Sequence, residues 1–119
     1  MGERVGFCGV VFLSVLAASA AQAQVPDGVS ALFHLRRGDA WYAKSEFDRA
    51  LAEYDRAIVL DPRLADSYNS RGNARQAKGD LEGAYDDYSK ALQINPRLAA
   101  AYGNRGNLRH RRDSFEGTS

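Results

Sequence analysis

The sequence predicts an all-α chain: a solenoid of antiparallel helix pairs, with two full units and one terminal helix. Three observations predict it. Gly38, Gly72 and Gly106 stand 34 residues apart. Residues 31–64 align with residues 65–98 without a gap, sharing Arg37/Arg71, Gly38/Gly72, Ala50/Ala84, Tyr54/Tyr88, Ala57/Ala91, Pro62/Pro96 and Leu64/Leu98, and residue 99 begins a third copy. After residue 30 there are no alternating β-branched runs of the kind that form strands. A fixed period of this length means stacked supersecondary units with an extended surface.

The first element is of another kind. Met1-Gly2-Glu3-Arg4 is a short polar start, Val5–Ala18 is apolar, and Ala21-Gln22-Ala23 is a small-x-small site. This layout predicts a secretory signal peptide over residues 1–23. The run is shorter than the ~20 residues of a spanning helix, so no stable membrane span is expected after cleavage. The expected location is periplasmic or secreted. Cys8, the single cysteine, lies inside the run rather than at its end, which argues against lipid attachment. The mature chain would then hold no thiol, so disulfides, thiolate chemistry and cysteine metal sites are excluded. Residues 24–30 read as a linker.

The repeats follow over residues 31–117, as repeat 1 (31–64), repeat 2 (65–98) and a partial repeat or capping helix (99–117). Helices are expected over 31–44, 47–60, 64–78, 81–94 and 98–112. Lys44-Ser45-Glu46 and Lys78-Gly79-Asp80 interrupt the pattern inside each unit, and Gly79 suits a left-handed helix end. Asp61-Pro62 and Asn95-Pro96 between units read as an N-cap followed by proline at the first helical position. A glycine in mid-helix costs about 1 kcal/mol against alanine. Its recurrence predicts that another helix approaches there, with Tyr54 and Tyr88 as the knobs and the paired alanines as gaps.

Charge is balanced, with 16 Lys+Arg against 15 Asp+Glu, so no overall field draws the chain to nucleic acid or membrane. His34 and His110 lie in separate units, without the three or four converging ligands that zinc needs. Asp86-Asp87 is expected to be structural, since adjacent helical residues point apart and Asp86 can pair with Lys90. Gly103-Asn104-Arg105-Gly106 imitates a GxxG clamp but falls within a predicted helix. No Ser/His/Asp or Cys/His arrangement offers a nucleophile. Neither catalysis nor a cofactor or metal is expected.

The pattern resembles the tetratricopeptide repeat (TPR) family over residues 31 to about 117. Tyr68/Tyr102, Gly38/Gly72/Gly106, Trp41, Ala50/Ala84, Tyr54/Tyr88, Ala57/Ala91 and Pro62/Pro96 carry the resemblance. It implies a right-handed solenoid whose first helices line a concave groove. Departures from the pattern are His34 in the column of Tyr68 and Tyr102, Arg37/Arg71/Arg105 in a column usually leucine, and Arg75 and Arg109 in the column of Trp41. The stems of these arginines are expected to cover apolar surface while their heads stay wet.

By the same resemblance the groove holds a peptide segment or partner helix. The inward candidates are Leu35, Arg36, Asp39 and Tyr42; then Asn69, Ser70, Asn73 and Gln76; then Asn104, Asn107 and His110, each set on one helical face. Amide side chains carry donors and acceptors together and can pair with an extended backbone. Some members of the family clamp a terminal carboxylate with lysine and asparagine at columns where this chain has Leu35, Asp39 and Ala100, so an acidic chain terminus is a poor candidate ligand. Two alternatives to groove binding stay open. Polar residues such as Asn104, Asn107 and His110 suit a cap over the second unit, whereas Phe115 suits a bare end that self-associates or belongs to a longer array.

Overall fold

The computed structural model describes residues 27–117. Expectations for residues 1–26, and for the Phe115 side chain, lie outside the described residues. Five helices follow one another: α1 (Asp27–Ala43), α2 (Phe47–Leu60), α3 (Ala65–Ala77), α4 (Leu81–Ile94) and α5 (Ala99–Gly117). They stack as antiparallel pairs, α1 on α2 and α3 on α4, with α5 closing on α4. The first helices of successive units also touch, α1 with α3 and α3 with α5, and so form one layer.

The ends of the array depart from expectation. Residues 27–30, expected in a linker, are the first turn of α1. At the other end α5 runs on to Gly117 rather than stopping at residue 112. The difference falls at the column that turns the chain inside each unit. Ser45 has φ 60° and Gly79 φ 90°, but the third copy places Asp113 there and stays helical.

The prolines act differently from the expected caps. Asp61 ends α2 and Asn95 ends α4. Each makes a turn, with Leu64 N–H donating to the Asp61 carbonyl and Leu98 N–H to that of Asn95, both at 3.2 Å. Pro62 and Pro96 occupy the second turn position, which their fixed φ favours. The Asp61 and Asn95 side chains accept from the N–H groups of Arg63 and Arg97 at 3.1 Å, so their capping atoms serve the turn and not the next helix.

The recurring glycines pack as the period requires, in two copies out of three. A Cβ on Gly72 would lie 2.6 Å from the Tyr88 ring, and one on Gly38 would overlap the Tyr54 ring. Ala50, Ala57, Ala84 and Ala91 are fully buried around these tyrosines. Alanine lets the helices approach closely enough for each ring to seat on its glycine. Gly106 differs: among the described residues nothing lies within 4 Å of a Cβ built there. The third unit is held to α4 from its other side, through Ala101 and Leu108.

The heads of Arg71 and Arg75 are not left in water, whereas Arg37 and Arg109 stay exposed as expected. Arg71 Nη2 lies 2.8 Å from Asp87 Oδ1, its Nε 3.0 Å from Asp87 Oδ2, and its Nη1 3.0 Å from Asp55. Arg75 Nη1 adds a third bond to Asp87 at 3.0 Å. The Asp87 side chain is 4% exposed, so this carboxylate is buried with two cations around it. Asp86 is exposed and makes no ion pair with Lys90. The expected pairing was therefore placed on the wrong aspartate. Arg37 and Glu53 repeat the same pairing in the first unit at 3.6 Å.

Candidate functional site

Helical spacing brings the α1, α3 and α5 side chains to one layer, and hydrogen bonds decide which of them are free. The Tyr54 hydroxyl donates to Asp39 Oδ1 at 2.7 Å, and Ser70 also bonds that hydroxyl. The Tyr88 hydroxyl lies 2.7 Å from Asn73 Oδ1 and 2.9 Å from Gln76 Oε1. Its single proton serves one of them at a time. Asn104 Nδ2 donates to both Asn69 and Asn73 at 3.1 Å. The amide row therefore stitches α3 to α5 while its second helix-facing side holds the buried tyrosine.

These tyrosines are poor acids in the fold. Burial, with the bond to Asp39 next, holds Tyr54 far above the usual phenol range. Burial, then the neighbouring Tyr42 and Asp87, pushes Tyr88 up to about 12. Burial opposes the charge on Arg71, but its bonds to Asp87 and Asp55 outweigh that and raise it above its ordinary value. All three groups keep their neutral-pH protonation states firmly, which suits a scaffold rather than proton transfer.

A polar cavity of about 430 Å³ opens on this layer, lined by Tyr42, Asn73, Gln76, Ala77, Asn104, Asn107 and Arg111. It draws on all three units. Five of the residues expected in the groove thus converge: Tyr42, Asn73, Gln76, Asn104 and Asn107. Asp39, Asn69 and Ser70 support the layer through hydrogen bonds without lining the cavity. Arg36 and His110 are exposed and outside it. Leu35, expected to face inward, is 5% exposed and belongs to the core with Tyr54. Arg111 was missed although it follows Asn107 by four residues and Asn104 by seven, the spacing of one helix face.

A second cavity, of about 380 Å³ and mostly apolar, lies between α1 and α2 and is lined by His34, Asp55, Arg56, Val59 and Leu60. Val29, Phe33 and Val59 are exposed at this end of the array, at 59%, 57% and 79%. His34 Nδ1 is 2.7 Å from Glu53, which gives the histidine a structural partner. Among the described residues no group of three or more His, Cys, Asp and Glu could hold a metal ion. Nor is any described helix long and apolar enough to cross a membrane.

Comparison with known proteins agrees with the repeat architecture. A profile described as TPR repeat matches residues 38–79, and one described as Tetratricopeptide repeat matches residues 65–98. The first TPR of Spaghetti (RPAP3), solved with the HSP90 peptide SRMEEVD, superposes with TM-score 0.65 at 25% identity. That match covers 67% of this chain and 64% of that one, so the chain spans just under two thirds of it. The second TPR domain of human RPAP3, solved with the HSP70 peptide SGPTIEEVD, gives TM-score 0.64 at 25% identity over 66% of each chain. The Arabidopsis OM64 TPR domain shares the fold, with TM-score 0.70 at 24% identity over 76% of this chain and 74% of that one. No match was found among curated proteins. Two consecutive profile matches spanning residues 38–98, on helix pairs repeating every 34 residues, make this chain a tetratricopeptide repeat protein.

Proposed function

We propose that the chain is a non-catalytic interaction module that holds a peptide segment or partner helix against the layer of α1, α3 and α5. The cavity lined by Tyr42, Asn73, Gln76, Asn104, Asn107 and Arg111 carries this reading. Its amides present donors and acceptors suited to an extended backbone, and Tyr42 offers a half-exposed ring. Structurally similar TPR domains were solved with peptides, which supports the class of ligand. An acidic terminus such as that of SRMEEVD suits this chain poorly. Leu35 is buried in the core and Asp39 adds a negative charge bonded to Tyr54.

The test is a peptide-display selection on the full chain, followed by affinity measurements. Asn107→Ala should weaken the selected peptides at least tenfold with an unchanged melt, and Tyr42→Ala should weaken them as much while lowering the melt, because its ring also packs on Phe47 at 5.4 Å. Selected peptides that bind both variants as well as the parent would sink the reading. Asn73 is a less informative position, because it also supports Tyr88.

A second reading is end-to-end self-assembly, favoured by the exposed Val29, Phe33 and Val59 beside the apolar cavity. Light scattering on Val59→Asp would distinguish it, since an assembly built on that end becomes monomeric. We propose also that residues 1–23 direct export and are removed, on the strength of their signal layout. The mass of the chain recovered from secreting cells tests that.

A further inference from the structure

Three columns of the repeat work together, and the first two units fill them alike. In the first unit Arg37 pairs with Glu53, the Tyr54 ring covers Gly38, and its hydroxyl bonds Asp39. In the second Arg71 pairs with Asp87, the Tyr88 ring covers Gly72, and its hydroxyl bonds Asn73. The partner helices α2 and α4 carry one pattern, Ala50-x-x-Glu53-Tyr54-x-x-Ala57 and Ala84-x-x-Asp87-Tyr88-x-x-Ala91.

In α5 the same columns are Arg105, Gly106 and Asn107, and there they stand open. Arg105 reaches the Ser89 hydroxyl at 3.4 Å, as Arg71 reaches Asp55 one unit earlier. The Tyr85 and Tyr102 rings hold its guanidinium at 5.9 and 5.7 Å. Among the described residues it meets no carboxylate. A Cβ at Gly106 would meet none of the described residues within 4 Å, and Asn107 is exposed. Arg109, in the column of Arg75, is exposed and equally without a carboxylate.

We propose that this face of α5 is a docking site for a helix of a partner protein carrying Ala-x-x-(Asp/Glu)-Tyr-x-x-Ala. Its carboxylate would sit between Arg105 and Arg109, as Asp87 sits between Arg71 and Arg75. The tyrosine ring would seat on Gly106 and its hydroxyl would donate to Asn107. The alanines permit the close approach that seating a ring on glycine demands. An intact second copy has no such helix to offer, because Tyr54 and Tyr88 are buried at 1% and 0% exposure in their own units. The site is distinct from the peptide cavity except at Asn107, which borders both.

The probe is a labelled synthetic peptide with the sequence of residues 80–95, titrated into the full chain and followed by fluorescence anisotropy. Saturable binding is expected, weakened at least tenfold by Gly106→Ala in the chain. Asp87→Asn or Tyr88→Ala in the peptide should weaken it as much. Gly106→Ala adds a methyl group to open space on a helix, so the variant folds, and a melt on the same sample confirms that. The variant leaves Tyr42 and Asn107 in place, so display-selected groove peptides should bind it normally, and the two readings fail separately. No binding, or equal binding to Gly106→Ala, overturns the proposal, the latter because the peptide would then be replacing α4 in its own unit. A dimer that Gly106→Ala dissociates overturns it too, the occupant then being a second copy.

Discussion

Replacing Asp87 with alanine removes the carboxylate on which Arg71 and Arg75 converge. Three hydrogen bonds go with it, two from Arg71 and one from Arg75, at 2.8–3.0 Å. Breaking one member of a buried ion pair costs about 3–5 kcal/mol, because the partner is left charged and poorly solvated. Here the loss should be smaller. Arg71 keeps its bond to Asp55, and its side chain is 18% exposed, while that of Arg75 is 31% exposed and can turn to solvent. We expect about 2–3 kcal/mol, or a fall of roughly 10–20 °C in melting temperature for a domain of this size. The assay is a circular dichroism melt of the full chain, with urea unfolding on the same samples. The double variant Arg71→Leu/Asp87→Leu should recover most of the loss, since apolar residues of similar volume replace a buried ion pair at little cost. An Asp87→Ala variant within 0.5 °C of the parent would refute the reasoning, as would a double variant no better than the single one.

Gly72→Ala should destabilise the fold by about 1–3 kcal/mol, because its Cβ would lie 2.6 Å from the Tyr88 ring and overpacking exceeds the gain in helix propensity; a urea titration measures it. Ser45→Gly should raise stability by about 1 kcal/mol, since Ser45 holds φ 60° where glycine has no steric penalty; a higher midpoint in the same titration is the expected result. Raising pH should unfold the chain between about pH 10 and 12. Tyr88 is raised to about 12 when folded, so its contribution is full below the unfolded pKa near 10 and is lost as pH climbs toward the folded value. The slope is at most about 1.4 kcal/mol per pH unit for each such tyrosine. Tyr88→Phe should flatten that decline in a pH series of melts.

Much of this architecture was legible because it repeats. Gly38 and Gly72 predicted a close approach, and the rings of Tyr54 and Tyr88 supply it. Gly79 predicted a left-handed residue and has one. The family resemblance implied a groove along the first helices, spacing put each set of candidates on one face of its own helix, and Tyr42, Asn73, Gln76, Asn104 and Asn107 line one cavity. What misled was assigning side chains to surfaces one helix at a time. Leu35 shares the helix of Asp39 and Tyr42 but points to the core, and the arginine heads found Asp87 and Glu53 sixteen residues on.

The sequence by itself determined the period, the helix pairs and the residue types of the polar layer, because these follow from local spacing and from which columns stay small. Only the tertiary structure decided which polar groups are spent within the fold and which remain available. Asn73 and Asn107 occupy the same column, yet the first is bound by Tyr88 and the second is exposed. The difference lies in the neighbouring helix that one meets and the other does not, and a side chain's freedom is a property of its neighbours.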